Sequence, residues 1–145
     1  MKKYFLYLFI ISLLFSCRKE ISIDFPPVTE KIVVQGAIEP GFPPYIILTR
    51  NQGYFDPIDS NTFNNFFVND ADTVKVWTFD ENNVKQTKIL HQLPQIDSLP
   101  PIYTDIDYIM SSLSSNTTLP YDFSKAGRTY YLEIKWNNQL ITSST

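Results

Sequence analysis

Apolar and polar side chains alternate from residue 129 to residue 136. Tyr130, Leu132, Ile134 and Trp136 fall on one face, and Tyr131, Glu133 and Lys135 on the other. A period of two predicts a strand with one face on a core. Asn137 and Asn138 follow, and asparagine tolerates the positive φ of a two-residue type I′ turn. Residues 139 to 142 are therefore expected to return as a partner strand. Earlier runs have the same character. Residues 31 to 38 (KIVVQGAI) are apolar and β-branched and stop at the turn signal Glu39-Pro40-Gly41. Residues 45 to 50 (YIILTR) and 73 to 79 (TVKVWTF) predict two more strands. Residues 80 to 83 (DENN) turn the second of these into residues 84 to 90 (VKQTKIL), a hairpin with a short loop.

Between these runs the pattern breaks. Residues 51 to 70 are rich in asparagine and contain Asp56-Pro57, which predicts a long loop holding Phe63, Phe66 and Phe67. Residues 92 to 120 carry Pro94, Pro100, Pro101 and Pro120 with a Ser/Asn/Thr run. They are expected to be loop, with at most a short strand or helical turn near Tyr108, Ile109 and Met110. Short strands, turn signals and no amphipathic helix predict an all-β domain, an antiparallel immunoglobulin-like or prealbumin-like β-sandwich. Residues 127 to 132 (GRTYYL) resemble the tyrosine-corner region of immunoglobulin-like domains, with Tyr130 two residues before a core position at Leu132. The last residues, 140 to 145 (LITSST), read as the inside of a hairpin strand. The expectation is therefore an incomplete sandwich, the fragment of a longer protein.

The amino terminus follows another rule. Lys2 and Lys3 precede an apolar run from Tyr4 to Phe15 broken only by Ser12. A spanning helix needs about 20 apolar residues, so this shorter run predicts a secretory signal peptide. Leu14-Phe15-Ser16-Cys17 then has the order of a bacterial lipobox: a leucine three before the cysteine and a small residue just before it. The bulk of Phe15 is a departure from that pattern. The expected domains are a signal peptide at 1–16, a lipid-anchored tether at 17–29 and a β-sandwich at 30–145. Cys17 becomes the acylated first residue, and two or more chains give stable anchoring. Pro26-Pro27 and the charges of Arg18, Lys19, Glu20 and Asp24 keep the tether extended and solvated.

Composition sharpens this. Removing residues 1–16 takes two of the 12 Lys and Arg and none of the 15 Asp and Glu, leaving 129 residues with a formal balance of −5. Mild acidity without clustered Lys and Arg argues against a nucleic-acid surface. Cys17 is the only cysteine, so no intrachain disulfide is available and stability rests on the core.

Candidate chemistry is sparse. His91, the only histidine, stands at a strand end with no ligand or catalytic partner at useful spacing. Nucleophile-elbow, phosphate-loop, zinc-protease and dinucleotide motifs are lacking in the sequence. Two acid pairs, Asp70 with Asp72 and Asp105 with Asp107, invite a calcium reading, but neither extends into the oxygen series calcium needs. No metal, cofactor or catalytic residue is assigned. Phe63, Phe66 and Phe67, with Tyr54 and Phe55, put five aromatics in or beside one loop. They read either as a contact platform for a glycan or protein partner, or as rings folded back over a sheet face.

Taken in order, Cys17 with its lipobox, EISIDFPP, KIVVQGAIEPGFPPYIILTRNQGYFDP, VNDADTVKVWTFDENN and AGRTYYLEIKWNNQLITSST cover nearly all of the mature chain. In this combination the chain resembles an outer-membrane lipoprotein family of the Bacteroidota, "domain of unknown function 4249", whose members continue past this point. The resemblance implies a non-enzymatic accessory to TonB-dependent uptake, with a TonB-dependent receptor or other envelope protein as partner and the membrane reached through Cys17. It carries over no functional residue except Cys17. In that phylum acidic residues after the acylated cysteine favour surface display; Arg18-Lys19-Glu20 offers one acid, so either face of the outer membrane stays open. The alternative function is a surface adhesive or glycan-binding module.

Overall fold

The structure is a computed structural model that describes residues 29–53, 59, 62–94, 99–115 and 120–145. Among these residues seven strands form: β1 (Ile32–Ala37), β2 (Tyr45–Arg50), β3 (Thr73–Phe79), β4 (Lys85–Gln92), β5 (Ile102–Thr104), β6 (Tyr130–Trp136) and β7 (Gln139–Ser144). Among the described residues two helices interrupt them, α1 (Thr62–Phe66) and α2 (Ile106–Ser115). All pairings are antiparallel, in the order β1-β2-β5-β4-β3-β6-β7. The all-β antiparallel class is therefore the one observed. The pairing falls into β1-β2-β5 and β3-β6-β7 parts joined through β4, which pairs with β3 from Lys85 to Leu90 and with β5 only at His91 and Gln92.

The ladder nevertheless encloses one core. Ile46 and Leu48 of β2, Val74 and Val76 of β3, Leu90 of β4, Tyr103 of β5, and Tyr130, Ile134 and Trp136 of β6 are buried in one cluster with Val68, Tyr121 and Phe123. These are the alternate positions of each strand, as period-two patterning requires. The ends of the ladder curl toward one another. Val34, Gly36 and Ile46 from the first two strands line a cleft of about 220 Å³ together with Val76, Leu132 and Ile141 from the last part of the sheet. The Arg50 guanidinium likewise lies 5.8 Å from the Trp136 ring centroid. On the outer face, Trp77 and Tyr131 are directly opposed in register and stack at 3.9 Å, with the Lys85 ammonium 4.1 Å from the Trp77 ring.

The turns are chemically specified. Asn137 and Asn138 both have positive φ, 46° and 60°, the type I′ geometry expected between β6 and β7. The Asp80 carboxylate accepts from the Asn82 and Val84 N–H groups, each at 2.9 Å. The tyrosine-corner expectation also has its counterpart. The Tyr130 hydroxyl accepts from the Lys125 N–H at 2.7 Å and donates to the Phe123 carbonyl at 3.0 Å. The fully buried partner in that strand is Ile134, and Leu132 only packs against the core.

Two segments expected as loop are not loop throughout. Within residues 51–70, α1 forms a single turn with Asp59 as its cap: Thr62 N–H donates to Asp59 Oδ1 at 2.9 Å, and Asp59 N–H donates to Thr62 Oγ1 at 2.8 Å. Within residues 92–120, β5 pairs with both β2 and β4, and α2 runs for ten residues. Its apolar stripe, Ile106, Ile109, Met110 and Leu113, has helical spacing. Four serines mask that period. Three of them satisfy themselves locally, since Ser111, Ser114 and Ser115 hydroxyls donate to carbonyls three or four residues earlier at 2.8 Å.

Candidate functional site

A hollow of about 730 Å³ lies where β4, α2 and residues 120–128 meet. β4 contributes Gln86, Thr87 and Lys88 to it. The helix contributes Asp107, Tyr108 and Ser111, and the third wall is formed by Tyr121, Lys125 and Arg128.

Its floor is a buried polar cluster. Asp105 sits between β5 and α2 and is 4% exposed. Its carboxylate takes the Lys88 ammonium at 2.8 Å and the Tyr121 hydroxyl at 2.7 Å. The Tyr108 N–H donates to its other oxygen at 3.3 Å, so Asp105 is also the N-cap of α2. Burial raises the affinity of this carboxyl for a proton. The bonds from Lys88, Tyr121 and Tyr108 N–H, with the Lys88 charge, outweigh that and hold it below the ordinary carboxylate value. The Tyr121 phenol moves the opposite way. Burial first, then its bond to and the charge of Asp105, push it above the usual tyrosine range. At neutral pH the floor therefore holds an ionised acid and a protonated phenol, with the Tyr108 ring edge-on to Tyr121 at 4.8 Å. Three donors already engage the acid. The arrangement positions a wall and presents surrounding groups to a ligand.

The residues singled out in the sequence are placed as follows. Cys17 lies outside the described residues, as do Tyr54 and Phe55. Phe63 belongs to α1, and its side chain is outside the described part. Phe66 is 41% exposed, whereas Phe67 is half-buried and bridges Thr49 of β2. Their rings meet edge to face at 5.5 Å. The loop aromatics thus divide, one ring outward and one folded toward the sheet. Phe66 borders a hollow of about 230 Å³ with Arg50, Asn51, Gln52 and Asn65. His91 is exposed on β4 opposite Thr104.

The acid pairs separate as well. Asp70 accepts from the Trp136 indole N–H at 3.0 Å, and Asp72 is exposed ahead of β3. Asp105 is buried while Asp107 is exposed on the first turn of α2. Among the described residues no group of three or more His, Cys, Asp or Glu converges as a metal site would require.

Lys88, Tyr121, Lys125 and Arg128 were not singled out by sequence reasoning. One signal was available: an aspartate directly before Ile106, Ile109, Met110 and Leu113 is a helix cap followed by a helical stripe. Nothing local marks Lys88 or Tyr121, which reach Asp105 from 17 residues before it and 16 after it. No family model, curated protein or solved structure matches this chain.

Proposed function

We propose that the chain is a lipid-anchored protein of the bacterial cell envelope. In this reading it is held at the outer membrane by acyl chains on Cys17, and its β domain is a non-enzymatic accessory to TonB-dependent uptake. One observation carries the anchor: the ordered run of Lys2-Lys3, the apolar stretch to Phe15 and Leu14-Phe15-Ser16-Cys17, ending on the only cysteine of the chain. The accessory role comes from the resemblance of the ordered segments to the Bacteroidota lipoprotein family. Labelling cells with radioactive palmitate tests the anchor. Wild type is expected to incorporate label and Cys17→Ser to lose it; equal labelling would remove the anchor from the proposal. Affinity capture of the acylated full chain from solubilised outer membranes tests the role separately. Recovery of a TonB-dependent receptor is expected, and its consistent absence would leave an anchored protein without that partner.

A second reading, a surface glycan-binding module, is favoured by Phe66. An exposed ring beside amide and guanidinium side chains is the mixture that sugar rings use, apolar faces rimmed by hydroxyls. A glycan array would show a ligand lost in Phe66→Ala, and an array without any binder would dismiss it.

A further inference from the structure

We propose that the free edge of β4 is a docking site for an extended polypeptide segment, which joins the sheet there as an added strand. The inference goes beyond the accessory role and does not depend on Cys17.

β4 has neighbours on both sides, but not along its whole length. β3 pairs with it from Lys85 to Leu90. On the opposite edge β5 reaches only His91 and Gln92. Among the described residues no strand lies against that edge from Lys85 to Leu90. The parity of the ladder says which groups are left open. Asp80 N–H donates to the Val84 carbonyl at 3.0 Å, so the bonded pairs with β3 fall at Gln86, Lys88 and Leu90. Lys85, Thr87 and Ile89 then turn N–H and C=O the other way. His91 continues the same phase, and it is the residue that meets Thr104 of β5.

The open edge faces a prepared groove. Thr87, with Gln86 and Lys88 on either side, lines the 730 Å³ hollow, and α2 and residues 120–128 wall it. That volume lies in the range of roughly 300 to 1,000 Å³ typical of binding clefts. Lys85, Thr87 and Ile89 are exposed, so their outward N–H and C=O groups stand open to an incoming strand. Another extended backbone offers donors and acceptors at the roughly 7 Å repeat of alternate strand residues, which is the chemistry of strand addition. The charges suit a peptide of mixed sign. Asp105 already neutralises Lys88, and Glu81 stands 3.8 Å from the Arg128 guanidinium, leaving Lys125 beside Asp122 on one wall and Asp107 on the other. The edges of β1 and β7 are also unpaired in the ladder, but they flank a smaller cleft without charged lining.

The test uses the full chain in detergent micelles and the probe peptide acetyl-Lys-Val-Thr-Val-Glu-Val-amide, with amide exchange followed by NMR. Added peptide is expected to slow exchange at Thr87 and Ile89 by about tenfold or more, while Lys88 and Leu90, already bonded to β3, stay unchanged. Two peptides N-methylated at alternate residues separate backbone pairing from side-chain contact: one phase should abolish the protection and the other preserve it. Thr87→Pro removes an edge donor without touching the ladder to β3, an edge position that tolerates proline. It is expected to keep the far-UV spectrum and lose the effect. If that variant unfolds, the N-methylated pair decides. No slowing at Thr87 and Ile89 in millimolar peptide, equal effects of both methylated peptides, or protection confined to β7 would each overturn the proposal.

Discussion

Asp105 joins three parts of the chain through one carboxylate and one carbonyl. The carboxylate caps α2 and holds Lys88 of β4 and Tyr121, while the carbonyl accepts from the Ile109 N–H at 3.2 Å. Asp105→Ala removes a cap and leaves a buried phenol without its acceptor, a loss of about 2 to 4 kcal/mol in urea denaturation. Asp105→Asn keeps the Tyr108 N–H cap, but its NH2 replaces the oxygen that accepts from Lys88 and Tyr121, so it should recover only the cap's share of that loss. The pH dependence has a definite sign. The folded carboxyl titrates below its ordinary 3.8. Its contribution is therefore complete above that value and disappears as pH falls through the lower, folded value. Stability of the wild type should drop on acidification below about pH 4, and Asp105→Asn should show a shallower acid limb. Identical acid limbs would show that the carboxylate is not held as described.

At the scale of elements, short-range chemistry determines how strands begin and end. Asn137 and Asn138 occupy left-handed backbone, which costs most side chains about 1 to 2 kcal/mol. Asn138→Ala should lose about 1 kcal/mol by thermal or urea unfolding, while Asn138→Gly should hold its stability. Tyr130 acts over a longer span. Its hydroxyl ties residues 123 to 125 onto β6, and Tyr130→Phe leaves a buried carbonyl and an N–H without that partner. A loss of about 1 to 3 kcal/mol is expected, with faster amide exchange at Lys125 as its local signature. The two helices were less legible than the strands. In α2 the serines and the flanking prolines hide a stripe that is apolar at 106, 109, 110 and 113. No residue of that helix is buried; it is held by its cap and by contacts of Tyr108, so its own hydrophobic pattern understates it.

For the whole molecule, the consequence of a curled ladder is its edges. β1 and β7 end the order, and each carries an outward apolar residue, Val33 at 54% and Leu140 at 61% exposure. Unpaired apolar edges recruit other chains. Sedimentation velocity should show self-association that grows with protein concentration and is reduced by Leu140→Lys; an unchanged concentration dependence in the variant would free β7 of that role.

Six of the seven strands, the β6–β7 turn and the lipobox pattern at Cys17 were readable in the sequence, because each is written in the spacing of residues within about ten positions of one another; β5, three residues inside a proline-rich segment, was not. Period two marks a strand wherever it lies, and two asparagines select their turn without help. Pairing order, the open edge of β4 and the meeting of Lys88, Asp105 and Tyr121 came only with the tertiary structure. Those depend on which segments the core draws together. An aspartate that reads as half of an exposed acid pair becomes a buried, ionised cap once a lysine and a tyrosine from distant segments are packed against it.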